Sequence, residues 1–194
     1  MRIGLVSDTH GSVRNFRKVL DGPFRNADLI LHGGDVFYHG ARNRLTEGYD
    51  TSALAKTIND LTVPILIAKG NCDSDLDQLV INSPIVSPYV LLTIDGRKIM
   101  VIHGDGKTDE DLANLVKRFG LSLLVHGHSH IPRIRNAGGG LIVNPGTPTI
   151  PNPSSPFRKT AGTFDTSDGR VEIWDIDAMK VVLEGGVQTD ETRR

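Results

Sequence analysis

Leu123-Leu124-Val125-His126-Gly127-His128-Ser129-His130 is the stretch that decides the fold. Its first half is a short apolar run of the kind that forms a buried strand, and its second half is a cluster of imidazoles around a glycine. Ligands in open α/β sheets gather where strands end, because all the loops at that edge can converge on one point. The same arrangement recurs outward along the chain. Residues 2–6 lead to Asp8-Thr9-His10, residues 28–31 to Gly33-Gly34-Asp35, residues 63–68 to Gly70-Asn71-Cys72-Asp73, and residues 98–102 to His103-Gly104-Asp105. A further strand-like run covers residues 89–94.

Helical patterns separate these runs. Val13, Phe16, Val19 and Leu20 share one face after Ser12, and Leu54, Ile58 and Leu61 share another after Asp50-Thr51-Ser52. Thr108-Asp109-Glu110-Asp111 is a capping-box pattern, followed by Leu112, Leu115, Val116 and Phe119, with Gly120 at the C-terminal cap position. After residue 138 the texture changes to glycine, then proline, then three strand-like runs at residues 161–164, 171–176 and 179–183. Asp168-Gly169 and Asp177-Ala178 are their turn signals. Residues 185–194 lack periodicity and read as a frayed polar tail.

Imidazole, carboxylate and amide oxygens together suit divalent first-row metals, and a lone cysteine argues against a structural zinc site. Six of the seven histidines, all except His39, fall in these clusters. Four His and three Asp/Asn side chains make seven ligands, which suffice for two ions if one carboxylate is shared. Two ions about 3.5–4 Å apart can clamp the attacking and leaving oxygens of a phosphoryl group, which points to phosphoester hydrolysis.

Composition narrows the remaining classes. The 194 residues carry 22 Lys+Arg against 23 Asp+Glu, so no global charge draws the chain to nucleic acid or an anionic membrane. At 5% aromatic residues there is little to form stacking platforms for single strands. No apolar run approaches the roughly 18 residues of a membrane helix, and the carboxylate at Asp8 arrives too early for a signal peptide. Cys72, the single cysteine, cannot form an internal disulfide, and the expected setting is the cytoplasm.

Asp8-x-His10, Gly34-Asp35, Gly70-Asn71-x-Asp73, His103-Gly104 and Gly127-His128-x-His130 occur in the order of the calcineurin-like metallophosphoesterase superfamily, which the chain resembles. Gly70-Asn71-Cys72-Asp73, the loop around His39-Gly40-Ala41-Arg42-Asn43 with Glu47-Gly48-Tyr49, and Asn144-Pro145-Gly146-Thr147 are similar to the YfcE-like phosphodiesterase family. The resemblance implies a four-layer αββα sandwich of two mixed sheets flanked by helices, with residues 1–184 as one domain and 185–194 as the tail. It implies a metal-dependent phosphodiesterase in which a hydroxide bridging two divalent metals attacks in line. One metal takes Asp8, His10 and His130, the other Asn71, His103 and His128, and Asp35 bridges them. Mn2+ is the leading ion, with Zn2+, Fe2+, Ni2+ and Co2+ as alternatives.

Asn71, Cys72 and His103 are the expected catalytic residues. Cys72 stands where phosphomonoesterase relatives carry a histidine, and reads equally as a weak proton donor or as a small packing residue. His39, Arg42 and Asn144 are candidate substrate contacts, Arg42 because a guanidinium matches phosphate oxygens and its loop leaves directly from Asp35; a solvated loop is the alternative for His39 and Arg42, and a tight turn for Asn144. His32 and His126 are expected to support the site, and Asp73 and Asp105 to orient its ligands. The alternatives are a phosphomonoesterase or nucleotidase at the same centre, or an interaction scaffold like the retromer subunit of this superfamily. The expected partner is a small phosphodiester, not a nucleic acid polymer or a membrane, with self-association through Trp174 and the C-terminal hairpins.

Overall fold

The computed structural model describes residues 1–41 and 43–187. Arg42 and residues 188–194 of the expected tail lie outside the described residues. Among the described residues, twelve strands form two sheets. The larger sheet contains β1 (Arg2–Val6), β2 (Leu29–His32), β3 (Ile65–Ala68), β4 (Ile85–Val86), β10 (Thr160–Asp165), β11 (Arg170–Asp175) and β12 (Lys180–Gly186), in the order β12-β11-β10-β1-β2-β3-β4. The smaller contains β5 (Val90–Ile94), β6 (Arg97–Val101), β7 (Leu123–Val125), β8 (Arg133–Ala137) and β9 (Gly140–Asn144), in the order β5-β6-β7-β9-β8.

Both sheets are mixed. Strands β1 to β4 run parallel, as do β6, β7 and β9, while β10 joins β1 antiparallel and the C-terminal hairpins follow outward. Alternate residues of each parallel strand face opposite layers, which explains their near-continuous apolar sequences. Ile3, Leu5, Leu29 and Leu31 meet Ile99, Val101, Leu123 and Val125 between the sheets. Val6, Ile30 and Ile67 face outward against Phe16, Val19, Leu54 and Ile58 of helices α1 (Val13–Asp21) and α2 (Thr51–Asn59). Met100, Leu124 and Ile142 face Leu112 and Val116 of α3 (Asp109–Phe119). The layers are therefore helix, sheet, sheet, helix, as the resemblance implies.

Local chemistry fixes the helix ends as expected. Ser12 and Asp50 accept from Asn15 N and Ala53 N, and Thr108 and Asp111 form a reciprocal capping box. Gly120 ends α3 at φ 60°, in the left-handed region.

The chain departs from the sequence reading in three places. Strand β4 was not expected, because two apolar residues carry no periodic signal. The glycine-rich segment is a hairpin, with β9 buried between β7 and β8. Its flanking Gly138-Gly139 and Pro145 mask a strand that is apolar only at residues 141–143, and β8 carries two arginines. Finally, β12 continues through Gly186 and Val187 is buried in the inter-sheet core, so residues 185–187 of the expected tail are part of the packed structure.

Candidate metal centre

The carboxyl ends of β1, β2, β3, β6 and β7 open on one edge, where the two sheets bring seven side chains together. They fall into two clusters. In the first, His130 Nε2 lies 3.2 Å from Asp8 Oδ1 and 3.2 Å from His10 Nε2. In the second, Asn71 Oδ1 lies 2.9 Å from His103 Nε2 and 2.8 Å from His128 Nδ1. Asp35 Oδ2 stands between them, 3.9 Å from His10 Nε2 and 3.5 Å from His103 Nε2. All seven candidate ligands are thus brought to one place.

Backbone carbonyls select the nitrogen that each imidazole offers. Nδ1–H donates to Tyr38 O in His10 (2.6 Å), to Gly33 O in His103 (2.8 Å) and to Ile150 O in His130 (2.6 Å), leaving Nε2 to face the centre. His128 instead turns Nδ1 inward.

The donor set fits divalent cations. In neutral form, His10 and His130 point Nε2 lone pairs at one another, and buried Asp8 Oδ1 meets only these imidazole nitrogens among the described residues. Metal bonds of about 2.1 Å place neighbouring donors about 3.0–3.4 Å apart, the range of the 3.2 Å contacts in the first cluster. Burial by itself would raise the Asp8 and Asp35 carboxyls. The His130 contact nonetheless holds Asp8 below its ordinary value, and His103, with the Cys72 N–H, brings Asp35 down to about 2. Burial opposes charge on His103, but Asp35 and Asp8 raise it to about 9.

The backbone around the ligands is strained and tightly packed. Asp8, His10, Asp35, His128 and His130 all have φ between 43° and 65°, a conformation costing a side-chain-bearing residue about 1–2 kcal/mol. Close approach requires glycine beside them. A Cβ at Gly127 would stand 1.8 Å from Ser7 Oγ and 2.5 Å from Asp8 Oδ2. At Gly70 it would stand 2.2 Å from Asp35 Oδ1.

Supporting residues hold this geometry. Asp73 accepts from the N–H groups of Asp35, Val36 and Gly70, tying two loops together. His32 Nδ1 accepts from Gly34 N and its Nε2 contacts Thr9 Oγ1, while burial pushes the ring down to about 4. It therefore supports the loops with both nitrogens engaged. His126 is similarly lowered to about 4 by burial and contacts Gly127 O. Thr147 and Thr149 hydroxyls hold Asp8 O and Thr9 O, a role the sequence reading missed because the link spans more than 130 positions. Asp105 is exposed and pairs with no imidazole among the described residues.

The expected substrate contacts fare differently. Asn144 is 1% exposed and donates to Gly127 O and Ser129 Oγ while accepting from Gly146 N. Its Nδ2 braces the His-rich loop and its Oδ1 closes the turn to Gly146, the structural role of a tight turn. His39 lies edge-on between Tyr38 and Tyr49. Cys72 Sγ accepts from Asn71 Nδ2 at 3.2 Å and lies within 4.8 Å of ligand atoms of His10 and Asp35. Burial and the Asp35 charge push its thiol up to about 12.

A model of the calcineurin-like phosphoesterase superfamily domain matches residues 1–169. The chain is 32% identical over 157 residues to phosphodiesterase YfcE of Escherichia coli (strain K12), covering 80% of this chain and 84% of that one. The solved structure of the E. coli phosphoesterase Yfce superposes with a TM-score of 0.83 at 25% identity, covering 97% of this chain and all of that one. Vps29 of Entamoeba histolytica, solved with Zn2+, superposes with a TM-score of 0.66 at 18% identity over 97% of this chain and 100% of that one, a likeness of fold.

Proposed function

The chain belongs to the calcineurin-like phosphoesterase superfamily, and from that premise we propose that its centre is a two-ion site for phosphodiester hydrolysis. The observation that carries this reading is the first cluster, where the Nε2 atoms of His10 and His130 and the buried Asp8 Oδ1 converge to within 3.2–3.8 Å of one another. Asp8, His10 and His130 hold one divalent ion, Asn71, His103 and His128 the other, and Asp35 is shared. Bound ions would supply a water made acidic enough to act as nucleophile at neutral pH, and positive charge against the phosphoryl oxygens.

The protein's part is orientation. The carbonyls of Tyr38, Gly33 and Ile150 lock three imidazoles so that Nε2 faces inward without rearrangement. The Cys72 N–H holds Asp35 Oδ1 at 2.8 Å, which leaves Oδ2 toward both clusters. Asn71 donates its amide hydrogen to Cys72 Sγ, which turns its oxygen toward His103 and His128.

Cys72 favours diesters. A thiol at this place is a weaker acid than an imidazolium, so substrates whose leaving group needs little protonation are cleaved best, and phosphomonoesterase action is the lesser alternative. The complete ligand set speaks against a scaffold-only role. Mn2+ is the proposed ion, the substrate is a small phosphodiester, and the unpaired thiol of Cys72 fits a cytoplasmic setting. No described helix is long and apolar enough to cross a membrane. The test is hydrolysis of bis(p-nitrophenyl) phosphate by protein stripped with a chelator and reloaded with Mn2+, alongside metal analysis. Activity restored with two ions per chain supports the reading; full activity with one ion or none contradicts it.

A further inference from the structure

Beside the metal centre, on the far side of His128, is a cavity of about 230 Å³ between the His-rich loop, the start of α3 and strand β8. Its floor is apolar, formed by buried Leu112 and Ile142. Its rim is cationic, carrying Lys107, Arg133 and Arg135 against the single carboxylate of Asp109. Arg133 Nη1 donates to both Asp109 oxygens at 2.9 and 3.2 Å, and Arg135 Nη2 donates to the Asp109 backbone carbonyl at 3.0 Å. Asp109 thus holds the two guanidinium groups in place while neutralising only one charge. Lys107 is exposed and has no ion pair among the described residues.

We propose that this cavity is a subsite for a second phosphate carried on one arm of the diester substrate. The inference rests on the hydrolytic reading of the centre and names the substrate class: diesters that also bear a terminal phosphomonoester, such as phosphorylated dinucleotides. His128 forms both a wall of the cavity and an edge of the metal centre, so one ligand can occupy the two at once. Guanidinium groups match phosphate oxygens in pairs, and an apolar floor beneath a charged rim suits a sugar or base carrying that phosphate. The surplus of positive charge has no counterpart in a neutral or unphosphorylated diester.

The test compares kcat/KM for thymidylyl-thymidine with that for its 5′- and 3′-phosphorylated forms, using the full chain loaded with Mn2+. One phosphorylated form is expected to be preferred about tenfold. Arg133→Gln with Arg135→Gln should bring that ratio to near one. Lys107→Gln, an exposed loop change that leaves the Asp109 contacts intact, should lower it several-fold and guards against misfolding of the double variant. A ratio near one in the unaltered chain that still cleaves bis(p-nitrophenyl) phosphate overturns the subsite alone, as does a preference that survives all three changes. Failure to hydrolyse any diester overturns the functional reading and the subsite with it.

Discussion

The two halves of the centre share an architecture but differ in what they can satisfy by themselves. Asp8 and His10 are buried and His130 nearly so, and in the deep cluster Asp8 Oδ1 meets only these imidazole nitrogens among the described residues. Asn71 and His128 are exposed, and in the outer cluster Asn71 Oδ1 and His128 Nδ1 lie within hydrogen-bond reach of one another and of His103. A polar group in water, or with a partner, loses little when its ion leaves, whereas a buried one loses the compensation for its desolvation. The deep half should therefore hold its ion more tightly, and the outer half should exchange its ion with solvent.

The largest effect should follow from the residue the halves share. Asp35→Asn is expected to lower diester turnover by about 10³-fold or more, since ion-based charge stabilisation contributes several kcal/mol to the transition state. Turnover within tenfold of the unaltered chain, in protein holding both ions, would contradict a bridging role. Gly127→Ala should come next, at about 10²-fold, because its Cβ would strike Ser7 Oγ and Asp8 Oδ2. Metal analysis should show the deep ion lost while Asn71→Ala loses the outer one. Equal loss of both ions in both variants would erase the distinction between the halves.

Stepwise chelation should separate the two ions by at least about tenfold in affinity, with the outer one leaving first. Thermal unfolding gives an independent reading, because a ligand at about 100 times its Kd stabilises by about 2.7 kcal/mol. Most of the metal-dependent rise in Tm should survive in His128→Ala and vanish in Asp8→Ala. The smallest effect is expected from Cys72→His, which should raise phosphomonoester turnover a few-fold relative to diester turnover by placing a better acid beside Asp35. An unchanged ratio in folded, metal-loaded protein would assign Cys72 to packing.

Much of the site was legible because metal ligation and parallel strands both leave local marks. Each of β1, β2, β3, β6 and β7 ends in a Gly, His, Asp or Asn cluster that no helix or strand interior would use. The helix caps, including the one capping box at Thr108 and Asp111, and the hairpin turns were equally local. What escaped were features whose cause lies far away in the chain. Strand β9 is a strand because β7 and β8 pair with it, and three apolar residues between glycines and a proline do not announce that. Asn144 reads equally as a tight turn or a polar lip from its Asn-Pro-Gly-Thr neighbours, and only burial shows it to brace the loop. Arg42, a candidate substrate contact by its guanidinium and its place on the loop after Asp35, lies outside the described residues.

The sequence by itself determined the kinds of donor, their order along the chain and their place at strand ends, and with them the family and the metal chemistry. Those properties depend on residue type and short-range pattern. Only the tertiary structure decided the division of the two implied ligand groups into a deep and a solvent-facing one, and that His128 offers Nδ1 where three other imidazoles offer Nε2. The division follows from strand order and from the packing of one sheet on the other, which set distances between residues more than 100 positions apart. In His10, His103 and His130 the choice of nitrogen follows from the backbone carbonyl behind the ring, and no local pattern in the sequence encodes that.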